Sequence, residues 1–245
     1  MTHTLIVGRR VLSGLAHDRR LLALSAGAPL AIIYLLKLFF ATMPPTFDAA
    51  RYAVPVAAFL VHFLAFLLCA IVLVQERTTG TLERMVINGF LRAEIIGGYL
   101  AGYLALATLQ AVAAVAEVLL LFGLSYDGAT LAWLFVVVWL LAIASVMLGI
   151  FISTFARNAA QVFPFIPLVI VPSVFLSGLL VDITLLPAWA QGLGHLFPLF
   201  YANTVLQQLI HGSGGIGGAW SSLVVLGGYS LVLLVLASRT LREVE

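Results

Sequence analysis

Six apolar stretches dominate this chain, and each is long enough to cross a bilayer as a helix. A hydrocarbon core of about 30 Å requires roughly 20 apolar residues in an α-helix. The stretches cover residues 21–43, 52–74, 95–124, 129–155, 161–181 and 219–238. With 63% hydrophobic and 9% charged residues, the chain lacks the polar surface of a water-soluble domain of 245 residues. We predict an all-α membrane protein, a single domain over 1–245 with six transmembrane helices.

The positions of the basic residues predict which side of the membrane each segment faces. Six crossings place both ends of the chain on one side, and ten of the twelve basic residues lie on that side. They are Arg9, Arg10, Arg19, Arg20, Arg77, Arg84, Arg92, Arg157, Arg239 and Arg242. Arg51 lies on the opposite side, and Lys37 lies within the first span. Because cytoplasmic loops carry an excess of arginine and lysine, both termini and the 75–94 segment are predicted to be cytoplasmic.

The N-terminal segment, residues 5–20, has the periodicity of an amphipathic helix. One half of this helix carries the apolar residues Leu5, Val7, Val11, Leu12 and Leu15. The other half carries the polar residues Arg9, Arg10, Ser13, His17 and Arg20. Such a helix lies in the plane of the headgroups, where its basic face suits an anionic leaflet. The alternative is an ordinary basic flank that only orients the first span.

A charged segment with the pattern of a helix start separates the second and third spans. It reads Gln-Glu-Arg-Thr-Thr-Gly-Thr-Leu-Glu-Arg-Met-Val over residues 75–86. Its apolar residues Leu82, Met85 and Val86, with Gly89, follow the i, i+3, i+4, i+7 spacing of one helix face. We predict a short amphipathic helix within 76–90 that binds another protein.

The segment 182–211, on the predicted outer side, is apolar and contains no lysine or arginine. Apolar backbone at membrane depth must be helical or buried in protein. Because proline interrupts helices, we predict two short helices broken near Pro198 that enter the membrane and return. This pair is either a gate or a surface cap without a mechanistic role.

Prolines and glycines mark two further helices. Pro164, Pro167 and Pro172 fall in the fifth span, and each removes a backbone donor. They predict either a kinked helix at a moving interface or simple structural kinks. Gly98 and Gly102 form one small-xxx-small pair that would permit close helix approach, although such pairs also arise by chance among 21 glycines.

Lys37 and Glu117 are the two ionisable candidates within the spans. Each lies six or seven residues from the predicted outer end of its helix, hence roughly 10 Å below the outer surface at about 1.5 Å per residue. Equal depth allows an ion pair or a shared polar patch. The alternative is that each side chain extends independently toward the interface.

The sequence contains no recognisable catalytic or metal-binding pattern. There is no Gly-x-Ser-x-Gly and no His-Glu-x-x-His, and the histidines have no ligand-type neighbours at suitable spacing. A phosphate-binding loop ends in Gly-Lys-Ser/Thr, but the only lysine, Lys37, is followed by Leu38. We therefore predict a protein that is not itself an enzyme and holds no metal. Energy for active transport would come from another polypeptide or from an ion gradient.

Three motifs in order resemble the ABC-2 type permeases, in particular the daunorubicin-resistance and nodulation-export branch, whose members are single six-span subunits. The first motif is Glu-Arg-Thr-Thr-Gly-Thr-Leu-Glu-Arg at 76–84. The others are Phe-Leu-Ser-Gly at 175–178, and Leu-Pro-Ala-Trp at 186–189 with Phe-Pro-Leu-Phe-Tyr-Ala at 197–202. Phe200-Tyr201 stands where Thr-Tyr is common in the family, so cargo contacts are not carried over there.

The resemblance implies half of an ABC exporter, in which two permease subunits, identical or paralogous, work with two separate ATPase subunits. ATP and Mg²⁺ would bind to the ATPase, and this chain would bind no cofactor and no nucleic acid. The 5–20 helix would be the family's connecting helix and 76–90 its coupling helix. The residues expected to contact the ATPase are Glu76, Arg77, Gly80, Thr81, Leu82, Glu83 and Arg84.

The resemblance also implies a multi-pass location in the plasma (inner) membrane and a role in efflux, including antibiotic resistance. Spans two and five of both subunits would line the path. An apolar path favours an amphiphilic drug-like or lipid-like cargo. The alternatives are export of a polysaccharide or glycolipid and, in a different class, a gradient-driven secondary carrier.

Overall fold

The computed structural model describes residues 2–212 and 215–240, and these residues form helices and connections without any strand. The α-helices in these ranges are α1 (Thr2–His17), α2 (Arg19–Phe40), α3 (Ala49–Thr78), α4 (Thr81–Ile87), α5 (Arg92–Phe122), α6 (Gly128–Ser153), α7 (Val171–Leu176), α8 (Ala188–Gly194), α9 (Pro198–Ile210) and α10 (Trp220–Thr240). The all-α prediction is confirmed for the described part of the chain. Arg242 lies outside the described residues.

Within the described residues, five segments are long and apolar enough to cross a membrane. They are Ala49–Thr78, Ala93–Phe122, Gly128–Ser153, Ala159–Leu176 and Trp220–Ala237. The first predicted span corresponds to α2, whose apolar part Ser25–Phe40 is shorter than these five. The count of six spans and the side occupied by the termini therefore stay predictions.

Helices α3 and α6 form the centre of the bundle, and Gly149 allows them to pack closely. A Cβ atom at Gly149 would lie 2.7 Å from the carbonyl oxygen of Phe66, too close for any other residue. In the same interface, Nδ1 of the buried His62 lies 2.6 Å from Oγ of Ser145. Helix α5 packs against both members of this pair, α10 packs against α6, and α2 packs on α3 and α5.

Helix α1 packs along the first half of α5, with Val7, Val11 and Leu15 buried against it. A Cβ atom at Gly98 would overlap the Cβ of Val7, and one at Gly102 would lie 2.5 Å from Cγ1 of Val11. The two glycines therefore form the surface of α5 on which α1 packs. The predicted 5–20 helix corresponds to α1. Helix α1 ends at His17, and the next helix, α2, begins at Arg19.

The fifth predicted span is an interrupted helix. It consists of a 3₁₀ turn (Ala159–Val162), a π-helical turn (Ile166–Ile170) and α7. Pro167 and Pro172 lie in the first turns of the last two pieces, and Pro164 precedes them. Each proline removes a donor from the regular ladder, so the chain changes helix type along this segment.

The predicted pair of short outer helices corresponds to α8 and α9, and Pro198 is the first residue of α9. Asn203 on α9 donates from Nδ2 to the carbonyl oxygen of Ser177, 2.9 Å away. Gln207 donates to the carbonyl oxygen of Arg51 on α3 at 2.8 Å. These bonds hold α9 against the end of the bundle opposite α4.

Candidate functional site

The predicted partner-binding segment lies where α1, α3, α4 and α5 meet, a region that we call the α4 end. Helix α3 continues to Thr78, so Glu76 and Arg77 belong to its last turn. Gly80 then adopts a positive φ of 69°, which favours glycine, and α4 follows directly. The helix in the segment is therefore Thr81–Ile87, shorter than the predicted 76–90.

Glu76 points into the molecule and pairs with Arg10 of α1. The Arg10 guanidinium donates to both carboxylate oxygens of Glu76. It also lies 3.4 Å from the Tyr99 hydroxyl and 3.6 Å from the sulfur of Met85. Burial opposes the charge on Arg10, but its interactions with Glu76 and Tyr99 outweigh that cost and raise its pKa. Arg10 thus joins α1 to α3, α4 and α5.

Arg77 joins α3 to the end of α6. Its guanidinium donates to the carbonyl oxygens of Ser153 and Ala156. The last carbonyls of a helix have no partners within the helix and carry a partial negative charge, so a cation is favourable there. The α4 end is therefore fixed to the central helix pair.

A second link connects the start of α1 to the start of α5. His3 Nδ1 lies 3.0 Å from Glu94 Oε2, and the His3 ring stacks on Phe90 at 4.5 Å between centroids. The same carboxylate accepts the backbone N–H of Leu91 at 3.1 Å. The sequence analysis missed this link, since its members are far apart in the chain.

Helix α4 is anchored on one face and exposed on the other. Met85 is buried and Leu82 is partly buried against the bundle. Glu83 is exposed and has no hydrogen-bond or ion-pair partner among the described residues. The spacing places Val86 on the same face as Leu82 and Met85, but Val86 is 41% exposed.

The exposed face of α4 combines charge with large apolar side chains. Ile87 is 84% exposed, and Leu91, just beyond the helix, is 68% exposed. We call the set Glu83, Arg84, Val86, Ile87 and Leu91 the docking face. Ile87 and Leu91 were not predicted to belong to the site. An apolar residue on the polar side of a short amphipathic helix could have indicated Ile87. Such a patch is typical of a protein interaction site.

The other predicted site residues lie elsewhere. Thr81 places its hydroxyl 2.9 Å from that of Thr79, in the turn before α4. No hydrogen bond or ion pair joins Lys37 to Glu117 in the described ranges. Glu117 Oε2 is buried there without a hydrogen-bond partner. In the same ranges, no three His, Cys, Asp or Glu side chains form a group that could hold a metal.

Comparison with known proteins places this geometry in context. A family model described as "ABC-2 type transporter" matches residues 2–211. The chain is 22% identical over 180 residues to the "Probable multidrug ABC transporter permease YbhR" of Escherichia coli K12, which covers 73% of the chain and 49% of YbhR. It is 29% identical over 146 residues to the "Probable multidrug ABC transporter permease YbhS" of the same strain, covering 58% and 38%.

A eukaryotic protein is also similar to this chain. The "ABC transporter G family member 20" of Dictyostelium discoideum is 23% identical over 172 residues, which covers 69% of this chain and 23% of that protein. The chain therefore spans about half the length, or less, of the curated relatives that it matches.

Proposed function

The chain belongs to the ABC-2 type transporter family, and from this premise we propose that it is the permease subunit of an ATP-driven exporter. In this proposal the chain lies in the plasma membrane and its α4 end faces the cytoplasm, as the arginine distribution predicts. A separate ATPase subunit binds ATP and Mg²⁺. The chain itself supplies the path for the cargo.

The docking face of α4 is the observation that carries the proposal. A short helix that is held to the bundle by Met85 and yet exposes Ile87 and Glu83 is suited to insert into another protein. Exposed Ile and Leu side chains supply apolar area to such an interface, and the charged neighbours supply its orientation.

The contacts behind α4 provide a physical route for motion. A displacement of α4 acts on α3 directly, because only the turn at 79–80 separates the two helices. Arg10 couples α3 to α1, and Arg77 couples α3 to α6. Packed helices move as units, so a push on α4 reaches the spans as a rigid-body movement.

A second permease subunit would cover the interrupted segment 159–176. This segment is the least buried of the five candidate spans. Its exposed large apolar residues are Phe163, Leu168, Val171 and Phe175. Helix irregularities at membrane depth are tolerated where protein or a water-filled cavity surrounds them, which favours a position between two subunits over contact with lipid.

We propose an amphiphilic drug-like or lipid-like cargo, which passes between α3 and segment 159–176 of the two subunits. The apolar character of these segments favours such a molecule over a long sugar chain. Two of the relatives are named as multidrug transporter permeases, which agrees with this class.

Co-purification tests the proposal. The full chain, tagged and solubilised from the membranes of its own host, is expected to bring down a soluble protein with ATPase activity. Ile87→Ser is expected to reduce the recovered ATPase about tenfold or more, since truncating a central interface anchor typically costs about 2 kcal/mol and about 1.4 kcal/mol is a tenfold change in affinity.

Leu185→Ser is the matched control, because Leu185 is also 76% exposed but lies at the opposite end of the bundle. This variant is expected to recover as much ATPase as the wild type. Equal recovery with Ile87→Ser and Leu185→Ser would contradict the assignment of the docking face.

A further inference from the structure

A cavity of about 800 Å³ lies at the α4 end, between α1, the last turns of α3 and the start of α5. Its polar wall includes Arg9, Arg10, Glu76, Tyr99 and Tyr103. The volume is within the range of sites for drug-sized molecules. The docking face of α4 contributes none of the lining residues, so the cavity is separate from the proposed ATPase contact.

Tyr103 brings an unused polar group to this cavity. Its side chain is 2% exposed, and its hydroxyl is buried without a hydrogen-bond partner. Buried hydroxyl groups almost always have a partner, because an unpaired one costs free energy. Tyr99, one turn earlier on α5, differs in that its hydroxyl lies 3.4 Å from Arg10.

Among the described side chains that line the cavity, one cation has no partner. Arg10 and Glu76 neutralise each other, and Asp18 is already engaged in an interaction. His17 Nδ1 lies 2.7 Å from the Ser13 carbonyl oxygen and is occupied as a donor. Arg9 is exposed and has no hydrogen-bond or ion-pair partner among the described residues. The unmatched charge at the cavity is therefore positive.

Apart from Ser13 and Gln75, the remaining wall of the cavity is apolar. Ile6, Val11 and Leu15 line it from α1, and Val72 lines it from α3. A molecule that fills this space needs an acidic group, a deeper hydrogen-bond acceptor and an alkyl chain. A simple inorganic anion offers only the first of these.

We propose that this cavity binds an anionic amphiphile, with Arg9 paired to its acidic group and the Tyr103 hydroxyl donating to an ester or amide oxygen. The alkyl chain packs against Ile6, Val11 and Val72. This site lies beyond the transport proposal, and its occupation does not require the ATPase.

Binding of palmitoyl lysophosphatidic acid to the full chain in phosphatidylcholine nanodiscs tests the inference. This probe has an acidic phosphate, an ester and one chain. Palmitoyl lysophosphatidylcholine has the same ester and chain but no net charge, and glycerol phosphate has the charge without the chain. Lysophosphatidic acid is expected to bind at least tenfold more tightly than either comparison, since charge-assisted hydrogen bonds are the strong ones.

Two substitutions assign the roles of the residues. Arg9→Gln is expected to weaken lysophosphatidic acid binding about tenfold, and Tyr103→Phe about fivefold. Without ligand, Tyr103→Phe is expected to melt at the same temperature as the wild type or higher, because it removes an unpaired buried hydroxyl. This melting result distinguishes a binding role from a structural one.

Arg157→Gln and Tyr126→Phe are the controls, since neither residue lines the cavity. Both are expected to bind the probe as the wild type does. Equal binding of the two lysolipids, wild-type binding by both Arg9→Gln and Tyr103→Phe, or glycerol phosphate binding as tight as that of lysophosphatidic acid would overturn the proposal.

Discussion

Neighbouring charged residues of the segment 76–84 have separate roles. Glu76 and Arg77 are adjacent, yet one pairs with α1 and the other with the end of α6. Glu83, by contrast, is exposed on α4. The motif therefore contains two residues that bond to other helices of the bundle and an exposed surface on α4. The exposed residues are the ones available to bind another protein.

The Arg10–Glu76 pair yields a prediction at this scale. Arg10→Glu and Glu76→Arg, each alone, place like charges together and are expected to lower stability by about 1 kcal/mol, because both side chains are partly solvated. Combined, the two substitutions restore an opposite pair. Thermal unfolding in detergent would measure the recovery.

The control for this pair is Arg84→Glu, an exposed arginine without a carboxylate partner in the described ranges. It is expected to leave the melting temperature nearly unchanged. If the double variant is no more stable than the less stable single variant, the pair does not join α1 to α3.

The sequence predicted the importance of residues 76–84 but not the direction in which each one points. Arg10 and Glu76 are 66 positions apart, and no local pattern connects them. The spacing predicted that Leu82, Met85 and Val86 share one face of α4, and Leu82 and Met85 do pack against the bundle. Val86 does not, because a helix of two turns can bury only a narrow stripe against its neighbours.

At the scale of the elements, the packing of α1 depends on a pair of glycines that the sequence indicated only weakly. Gly98 and Gly102 allow α1 to lie directly on the backbone of α5. The small-xxx-small spacing indicated close approach, but it did not indicate which helix approaches. That partner is α1, the amphipathic N-terminal helix, and not one of the five candidate spans.

Enlarging these glycines is therefore expected to displace α1. Gly98→Ala places a methyl group against Val7, and overpacking of this kind typically costs 1–3 kcal/mol. Gly14→Ala on α1 is the control, because a Cβ atom there meets nothing within 4 Å. Limited proteolysis within α1 is expected to accelerate for Gly98→Ala and not for Gly14→Ala, and equal rates would contradict the close packing.

The positions of the prolines predicted where the helices of the fifth span and of the outer segment are interrupted. Pro198 begins α9, and Pro167 and Pro172 each lie in the first turn of a piece of the interrupted segment. Proline acts through its own backbone, so its effect can be predicted locally. Lys37 and Glu117 show the opposite case, since equal predicted depth does not set the rotation of two helices about their axes. No hydrogen bond or ion pair joins the two side chains in the described ranges, and the shared polar patch stays a prediction.

For the whole molecule, the orientation in the membrane is the largest untested prediction. In a background with Cys69, the single native cysteine, replaced by alanine, Thr79→Cys and Ser125→Cys place one thiol at each end of the bundle. A membrane-impermeant maleimide is expected to label position 125 in intact cells and position 79 only after permeabilisation. Labelling in the reverse order would invert the molecule and remove the cytoplasmic docking face.

The account as a whole claims that a separate ATPase drives the bundle through α4. Cross-linking from a cysteine at position 87, in the cysteine-free background, to the co-purified ATPase tests this most directly. The account predicts that position 87 cross-links and that the cross-link abolishes ATP-dependent efflux, while a cysteine at position 185 does neither. Full efflux from a complex in which position 87 contacts no ATPase would contradict it.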